Sequence, residues 1–207
     1  ENEIAWLKRH NRNLVFADFS PPTDEIDSVE TDLVLATRKL LQSLSQAGYR
    51  RIAFAGWVHV YDGVAPTRVE RRCRAYMEWA REAGVFDERI CLTDGKTEDS
   101  GYKLTRQILS QSDRPDALIT ANDNMAVGAY RAIHELGLSI PNDIAVASFN
   151  DISVAQFLNP PLTTVHLPAE EIGEGAVELL LERMGGRELP KRVTLATSIR
   201  WRGSTRT

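Results

Sequence analysis

Two short apolar runs in the middle of the chain constrain its fold more than any other feature. Residues 117–123 and 144–151 each begin with apolar side chains and end in an Asn-Asp dipeptide. A pattern with helical period over residues 124–136 separates them, which predicts two consecutive parallel strands joined by a helix. Ligands of open parallel sheets bind beyond the carboxyl ends of the strands, so the two dipeptides mark a candidate binding edge.

The same alternation of apolar runs and helical patterns extends along most of the chain. Helical period recurs over residues 31–46 and 169–184, and a final extended run covers residues 193–201. This order predicts an α/β fold built on mostly parallel sheets.

The predicted elements are unevenly distributed. Residues 51–159 supply about four strand–helix units, enough for a doubly wound domain, but the segment before residue 48 supplies too little to cover both faces of a sheet. Either this early segment packs onto the same sheet, or it belongs to a second domain whose first part is missing. The start at Glu1 rather than Met favours the second interpretation.

Charge and composition exclude several classes of protein. A net charge of −4 argues against a nucleic-acid surface within the chain, and the locally basic Arg200, Arg202 and Arg206 are interpreted as a solvated tail. No apolar run reaches the roughly 18 residues of a membrane span, and no signal peptide is visible. Cys73 and Cys91 lack metal or redox spacing, which indicates reduced packing residues in a cytoplasmic protein.

Motifs of catalysis and cofactor binding are not found. The sequence has no Gly-x-Gly-x-x-Gly after a strand, no phosphate loop, no nucleophile elbow and no metal-ligand spacing. We therefore expect no enzyme activity, no cofactor and no metal.

The two asparagines of the candidate edge have two interpretations that the sequence leaves open. An Asn amide both donates and accepts hydrogen bonds, which suits the hydroxyls of a sugar-like ligand, so Asn122 and Asn150 are candidate ligand residues. Each could instead cap the element that follows it. Asp123 and Asp151 are the better cap candidates, which leaves the asparagines available to a ligand.

Four arginines, at positions 68, 71, 72 and 74, cluster near the predicted start of a helix. Cations are disfavoured at helix N-termini, so at least one of them is expected to bind a ligand through its guanidinium fork. The other three are expected to form a solvated basic face.

A resemblance to a known family rests on an ordered series of motifs. The residues that carry it are Ala121-Asn122-Asp123, Met125-Ala126, Gly128-Ala129, Arg131-Ala132-Ile133, Gly137-Leu138, Ile140-Pro141, Asp143-Ile144, Asn150-Asp151-Ile152, the run from Asn159 to Val165, Gly173 and the run from Ala176 to Leu180. They resemble the lactose/galactose repressor family of bacterial transcription regulators over most of the chain from about Val29. Ser100-Gly101-Tyr102 and the ending from Arg202 to Arg206 are most similar to the evolved-β-galactosidase repressor branch.

The resemblance implies two doubly wound parallel-sheet subdomains of the periplasmic-binding-protein type with a ligand cleft between them. Residues 1–47 and 167–192 would form a partial amino-terminal subdomain, and residues 48–166 and 193–207 the carboxy-terminal one. The family's helix-turn-helix is expected to be absent from this chain.

Four ligand-binding residues follow from the resemblance, position by position. Asn122 matches a ligand-contacting Asn, and Asn150 stands where the family usually has an Asp. Asp32 matches an Asp at the start of a helix that leaves the amino-terminal subdomain. Arg72 matches a ligand-binding Arg, although the Gly-aromatic pair that should follow it is Ala75-Tyr76 here, so Arg71 or Arg68 could substitute.

The family's stacking aromatic would fall near Lys96, and Trp57 and Tyr61 are the two candidates to replace it.

The function implied is that of an effector-sensing domain of a transcriptional regulator, which binds a galactoside or related sugar and works as a cytoplasmic homodimer. Val127, Tyr130 and Leu158 are the expected dimer face. DNA would be bound only through the absent domain. The alternative is a sugar-binding protein of a transport system, which shares the architecture.

Overall fold

The computed structural model describes residues 2–11, 13–21, 23–59 and 68–206, and it divides the chain into two compact units. The smaller unit comprises Glu1–Asp32 and Leu167–Thr197, and the larger unit comprises Leu33–His166 and Ser198–Thr207. In chain order the elements are α1 (Asn2–His10), β1 (Val15–Ala17), β2 (Asp27–Thr31), α2 (Leu33–Gln46), β3 (Ile52–His59), β4 (Arg68–Val69), α3 (Arg71–Glu82), β5 (Cys91–Asp94), α4 (Glu98–Leu109), β6 (Ala117–Thr120), α5 (Asp123–Glu135), β7 (Ala145–Asn150), β8 (Thr163–His166), α6 (Ala169–Met184), β9 (Arg192–Leu195) and β10 (Ser198–Arg200).

The larger unit is built on a seven-stranded sheet. Strands β8, β7, β6, β3 and β5 are parallel in that order, β10 is antiparallel to β8 at one edge, and the short β4 is antiparallel to the end of β3. Strand β6 is buried along its whole length, as is β7 up to Asn150. Helices that cover both faces of a parallel sheet bury the side chains on both faces of its strands. This burial explains why the two strands are continuous apolar runs in the sequence.

Helices α4 and α5 approach each other more closely than ordinary side chains allow. A Cβ atom on Gly128 would lie 1.8 Å from the carbonyl oxygen of Glu98, and one on Gly101 would lie 2.1 Å from that of Met125. The absence of a side chain at these two positions therefore lets the backbones touch. This contact fixes the start of α5, which begins at the candidate edge of the sheet.

The smaller unit has a three-stranded parallel sheet in the order β1-β2-β9. Its core consists of Val29, Ile172 and Leu179, which join β2 to α6. Beside this core, the fully buried Asp27 carboxylate pairs with Arg183 at 2.6 Å and Arg187 at 2.8 Å. This ion pair ties the start of β2 to the end of α6.

The observed units differ from the predicted subdomains at residues 47 and 192. Helix α2 was expected in the amino-terminal subdomain but belongs to the larger unit, where its apolar face is buried and Arg38 forms two 2.8 Å hydrogen bonds with Glu82 of α3. The predicted final strand over residues 193–201 is two strands, β9 in the smaller sheet and β10 in the larger one. Strand β2 was not predicted, because its buried residues include the polar Asp27, Ser28 and Thr31.

Within the described ranges, no helix combines the length and apolarity that crossing a membrane would require.

Candidate functional site

The carboxyl edge of the seven-stranded sheet brings polar side chains together where β6 and β7 end. The two strands are paired in parallel, with Ile119 opposite Ala147. Just before the strand ends, the Thr120 hydroxyl donates a 2.8 Å hydrogen bond to that of Ser148. This register places the two Asn-Asp dipeptides side by side.

Asn122 is the N-cap of α5. Its Oδ1 accepts a 2.8 Å hydrogen bond from the Met125 amide, and its Nδ2 donates a 3.0 Å bond to the carbonyl oxygen of Lys96 in the loop before α4. The side chain is only 7% exposed. The expectation that Asp123 caps this helix is therefore wrong. One N–H and one lone pair of the Asn122 amide remain for a ligand.

Asp123 instead links the ends of three strands. Its carboxylate accepts a 2.9 Å bond from the Ile152 amide, beyond β7, and a 2.8 Å bond from the Thr164 hydroxyl in β8. Burial raises the pKa of this carboxyl, and the hydrogen bonds to its charged form oppose that rise. Asp123 thus anchors the turn that carries Asn150.

Asn150 stands at the end of β7 with an unusual backbone. Its φ is 111° and that of Asp151 is 60°, so two successive non-glycine residues adopt the left-handed region at a cost of about 1–3 kcal/mol each. The Asn150 side chain is partly exposed, and among the described residues no partner hydrogen-bonds to it. A strained residue with an available amide at a strand end is what a ligand contact requires.

Asp151 forms ion pairs rather than the predicted cap. Its Oδ1 lies 2.7 Å from Nη2 of Arg202, and its Oδ2 lies 3.2 Å from Nδ1 of His166 and 3.8 Å from Nε of Arg200. The short 3₁₀ segment that follows has no side-chain cap. The interpretation of Arg200, Arg202 and Arg206 as a solvated tail is also wrong, since the Arg206 amide donates a 2.8 Å bond to the Tyr49 hydroxyl.

Arg72 is buried at the start of α3, with 6% of its surface exposed. Its Nε donates a 2.9 Å hydrogen bond to Glu70, which also caps α3 by accepting from the Arg72 amide. The guanidinium carbon lies 4.8 Å from the Trp57 ring centroid and 5.5 Å from that of Phe149. Arg72 therefore lies next to the residue that precedes Asn150, in a low-dielectric setting that strengthens any hydrogen bond it makes.

The other arginines of the cluster have different surroundings. Arg74 is exposed and lies 3.8 Å from Glu78 on the same helix, while Arg71 is half-buried. Only the backbone of Arg68 is described, and Tyr61, one of the two predicted substitutes for the stacking aromatic, lies outside the described residues.

Asp32 occupies a different part of the molecule. It is an exposed residue, the last of the smaller unit, directly before α2. The three other predicted ligand residues, Asn122, Asn150 and Arg72, lie in the larger unit.

Sequence reasoning missed Glu70, Phe149 and the partners of Asp151. Glu70 had a detectable signal, because an acid that immediately precedes a helix and lies two residues before an arginine can both cap and pair. Phe149 and Arg202 carried no such signal, since their contacts join positions far apart in sequence.

No group of three or more His, Cys, Asp or Glu side chains within the described ranges could hold a metal ion.

Comparison with known proteins places this fold in a family. A family model described as a periplasmic binding protein-like domain matches residues 41–205. A lactose operon repressor from Rhizobium radiobacter is 57% identical over 108 residues, which cover 52% of this chain and 96% of that sequence. The chain belongs to the lactose/galactose repressor family.

Two further relatives extend the match to almost the whole chain. The transcriptional repressor MelR of Bacillus subtilis is 36% identical over 205 residues, 96% of this chain and 58% of that protein. A solved structure of the regulator CelR in complex with cellobiose is 29% identical, covers 92% of this chain and 57% of that one, and has a TM-score of 0.80. The chain thus spans little more than half the length of these regulators, and its α/β fold with parallel sheets is that of their effector-binding region.

Proposed function

We propose that this chain is the effector-binding part of a bacterial transcriptional regulator and that it binds a small sugar, specifically a galactoside, at the carboxyl edge of the larger sheet. Asn150 and Arg72 would contact the sugar hydroxyls together with Asn122, and the ligand-binding role of Asp32 stays a prediction from the resemblance. The observation that carries the proposal is the strained Asn150, whose side chain has no hydrogen-bond partner among the described residues and whose neighbour Phe149 lies 5.5 Å from the buried Arg72 guanidinium.

The chemistry of the edge suits a neutral, hydroxylated ligand. An Asn amide can both donate a hydrogen bond to a sugar hydroxyl and accept one from it, whereas an Arg guanidinium only donates, to the hydroxyl oxygens. Trp57 lies against the guanidinium, is half-buried, and supplies apolar surface of the kind that the C–H faces of a pyranose prefer. The preference for a galactoside is supported by the likeness to a lactose operon repressor.

A homodimer would transmit binding to DNA through a part of the regulator that this chain does not include. Of the predicted dimer face, Tyr130 is unsuitable, because it is 3% exposed and donates a 2.9 Å bond to the Pro160 carbonyl within its own unit. Phe157, beside Leu158, is 77% exposed, and Val154 one 3₁₀ turn earlier is 37% exposed. These two side chains and Leu158 are the dimer face that we propose.

The relatives named above are repressors and regulators, which supports the regulator over the transport protein. A regulator of this kind acts in the cytoplasm and catalyses no reaction, and we extend both properties to this chain. The finer likeness to the evolved-β-galactosidase repressor branch stays a prediction.

Calorimetric titration tests the proposed site with galactose, lactose, melibiose, cellobiose and ribose as probes. We expect lactose or melibiose to bind, and Asn150→Ala to weaken that binding at least tenfold, as for the loss of one or two buried hydrogen bonds. Asn142→Ala is the matched control, because Asn142 is an exposed asparagine before the opposite end of β7. The absence of binding by all five sugars would contradict the proposal, as would equal affinities of the two variants.

A further inference from the structure

Asp151 connects the turn that follows β7 to the end of β8 and to the segment that begins with β10. Its backbone follows Asn150 directly, and its side chain contacts His166, Arg200 and Arg202. The chain leaves the larger unit after His166 and re-enters it at Ser198. Asp151 therefore connects the proposed ligand residue to two of the three places where the chain passes between units.

The two crossing segments are paired with each other as well as with Asp151. Strand β8 ends at His166, opposite Ser198 of β10, and Arg200 lies opposite Thr164. Arg202 adds two more bonds at the start of β8. Its Nη1 donates to the carbonyl of Leu162, just before the strand, at 2.8 Å, and its backbone amide donates to the hydroxyl of Thr163, the first residue of the strand, at 2.9 Å. A change in the position of the Asp151 carboxylate would thus act on both strands together.

The turn that carries Asn150 and Asp151 is held under backbone strain by contacts on either side. Asp123 fixes the Ile152 amide, and the Asp151 ion pairs fix the carboxylate. Two adjacent residues at positive φ persist only where such contacts over-determine them. A ligand that pulls on the Asn150 amide would change the balance of these contacts and so shift the Asp151 carboxylate relative to His166, Arg200 and Arg202.

We propose that Asp151 is a positioning residue that couples the Asn150 site to the crossing strands β8 and β10 through His166, Arg200 and Arg202. It orients Asn150 for a ligand and holds the ends of the two strands in one arrangement. The proposal rests on the proposed function for the identity of the ligand, but the contacts that it invokes exist without any ligand. Coupling requires that the ligand favour one arrangement of the strands over another.

Hydrogen–deuterium exchange of the whole chain tests the coupling in two arms. In the first arm, without sugar, Asp151→Asn is expected to speed exchange at least fivefold in peptides that cover residues 163–166 and 198–202. In the second arm, saturating lactose or melibiose is expected to slow exchange of these peptides in the natural chain but not in the variant, with at least tenfold weaker binding. A residue with a merely structural role would not abolish the effect of the sugar.

Asp116→Asn is the matched control. The Asp116 carboxylate accepts two hydrogen bonds, at 2.8 Å from the Arg50 amide and 3.1 Å from the Arg51 amide, at the amino end of the sheet. We expect this variant to lose thermal stability while the sugar still slows exchange in β8 and β10. If Asp151→Asn fails to fold, His166→Gln removes one partner and should give a smaller effect of the same pattern.

Unchanged exchange of β8 and β10 in the sugar-free variants would overturn the role of Asp151 as an anchor. Faster exchange with unchanged affinity and an unchanged effect of sugar would overturn the coupling. Failure of the natural chain to bind any of the five sugars would contradict the proposed function, and with it the ligand arm. The first arm would still decide whether Asp151 anchors the strands, so the two failures are distinguishable.

Discussion

The two asparagines at the candidate edge have the same chemical group and different roles. Asn122 is buried and uses its amide to cap α5 and to hold the loop at Lys96. Asn150 is partly exposed, lies at positive φ and has no side-chain partner within the described ranges. The contacts of Asn122 therefore show a stabilising role in addition to its proposed ligand contact, whereas the proposed role of Asn150 is binding alone.

Substitution of each asparagine should separate stability from binding. Asn122→Ala is expected to destabilise the chain by about 1–2 kcal/mol through loss of the cap and of the tie to the Lys96 loop. Asn150→Gly should leave the melting temperature unchanged or raise it, because glycine adopts positive φ without strain, while sugar affinity falls about tenfold. Calorimetric melting and sugar titration measure the two effects. Equal losses of stability in both variants would contradict this separation.

Among the secondary-structure elements, the contact between α4 and α5 positions the start of α5 at the candidate edge of the sheet. Helix α5 begins at Asp123, and its position depends on the close approach that Gly101 and Gly128 permit. In the smaller unit, the corresponding tie is the Asp27 ion pair, which joins β2, the end of α6 and the backbone of Lys191. One contact depends on the absence of side chains and the other on charge.

Two helical glycines should respond oppositely to the addition of a methyl group. Gly128→Ala is expected to cost about 2 kcal/mol or more, since its Cβ would meet backbone that cannot move aside. Gly173→Ala in α6 should stabilise by about 0.5–1 kcal/mol, because nothing lies within 4 Å of its Cβ position and alanine favours the helix. Denaturant unfolding of both variants gives the sign of each change. Stabilisation by Gly128→Ala would show that the two helices can separate at little cost.

The Asp27 ion pair should make the smaller unit sensitive to acid. Burial by itself would raise the pKa of Asp27, but hydrogen bonds from Arg187, the Lys191 amide and Arg183 outweigh it and lower the pKa below its usual value. A carboxyl whose pKa is lower in the folded chain stabilises fully above its unfolded pKa of about 3.9, and that stabilisation is lost as the pH falls through the folded value. We expect Asp27→Asn to cost about 3 kcal/mol near pH 7 and progressively less below pH 4.

Calorimetric unfolding between pH 7 and pH 3 measures this difference. Asp24→Asn serves as the control, because Asp24 is 97% exposed although it lies 3.1 Å from Arg192, and exposed pairs contribute little. A cost of Asp27→Asn that did not change with pH would show that the charge of Asp27 is not what stabilises the unit.

For the whole molecule, the proposed function requires that ligand binding affect the segments that join the two units and the proposed dimer face. The chain passes between the units at three places, and Asp151 contacts residues at two of them. The proposed homodimer also requires a surface that one subunit presents to the other. Phe157 is the most exposed large apolar side chain described in the larger unit.

Charge placed on this surface should prevent dimerisation. Phe157→Lys is expected to convert a dimer to a monomer at tens of micromolar, because a symmetric interface places each substitution twice in the same contact. Leu189→Lys is the matched control, since Leu189 is 79% exposed in the smaller unit. Sedimentation velocity distinguishes the two states. A dimer that survives Phe157→Lys, or dissociates equally with Leu189→Lys, would contradict the proposed face.

The sequence by itself determined the elements whose signals are local. Apolar runs at 117–120 and 145–149 predicted strands because both faces of a parallel sheet are covered, and helical period predicted α6 over Ala169–Met184. Glycines at 48, 84 and 137 followed helices and adopt positive φ. The ordered motifs predicted the family, because a match at many positions in the same order is specific to one family.

Only the tertiary structure decided where long-range contacts place individual side chains. The assignment of α2 to the larger unit, the division of the last predicted strand between two sheets and the strand β2 all depend on contacts between distant segments. The same holds for the roles of Asp123 and Asp151, whose partners Thr164 and Arg202 lie 41 and 51 residues away. Polar residues become caps, anchors or ligand contacts according to which donors the fold brings within about 3 Å, and spacing in the sequence does not encode that distance.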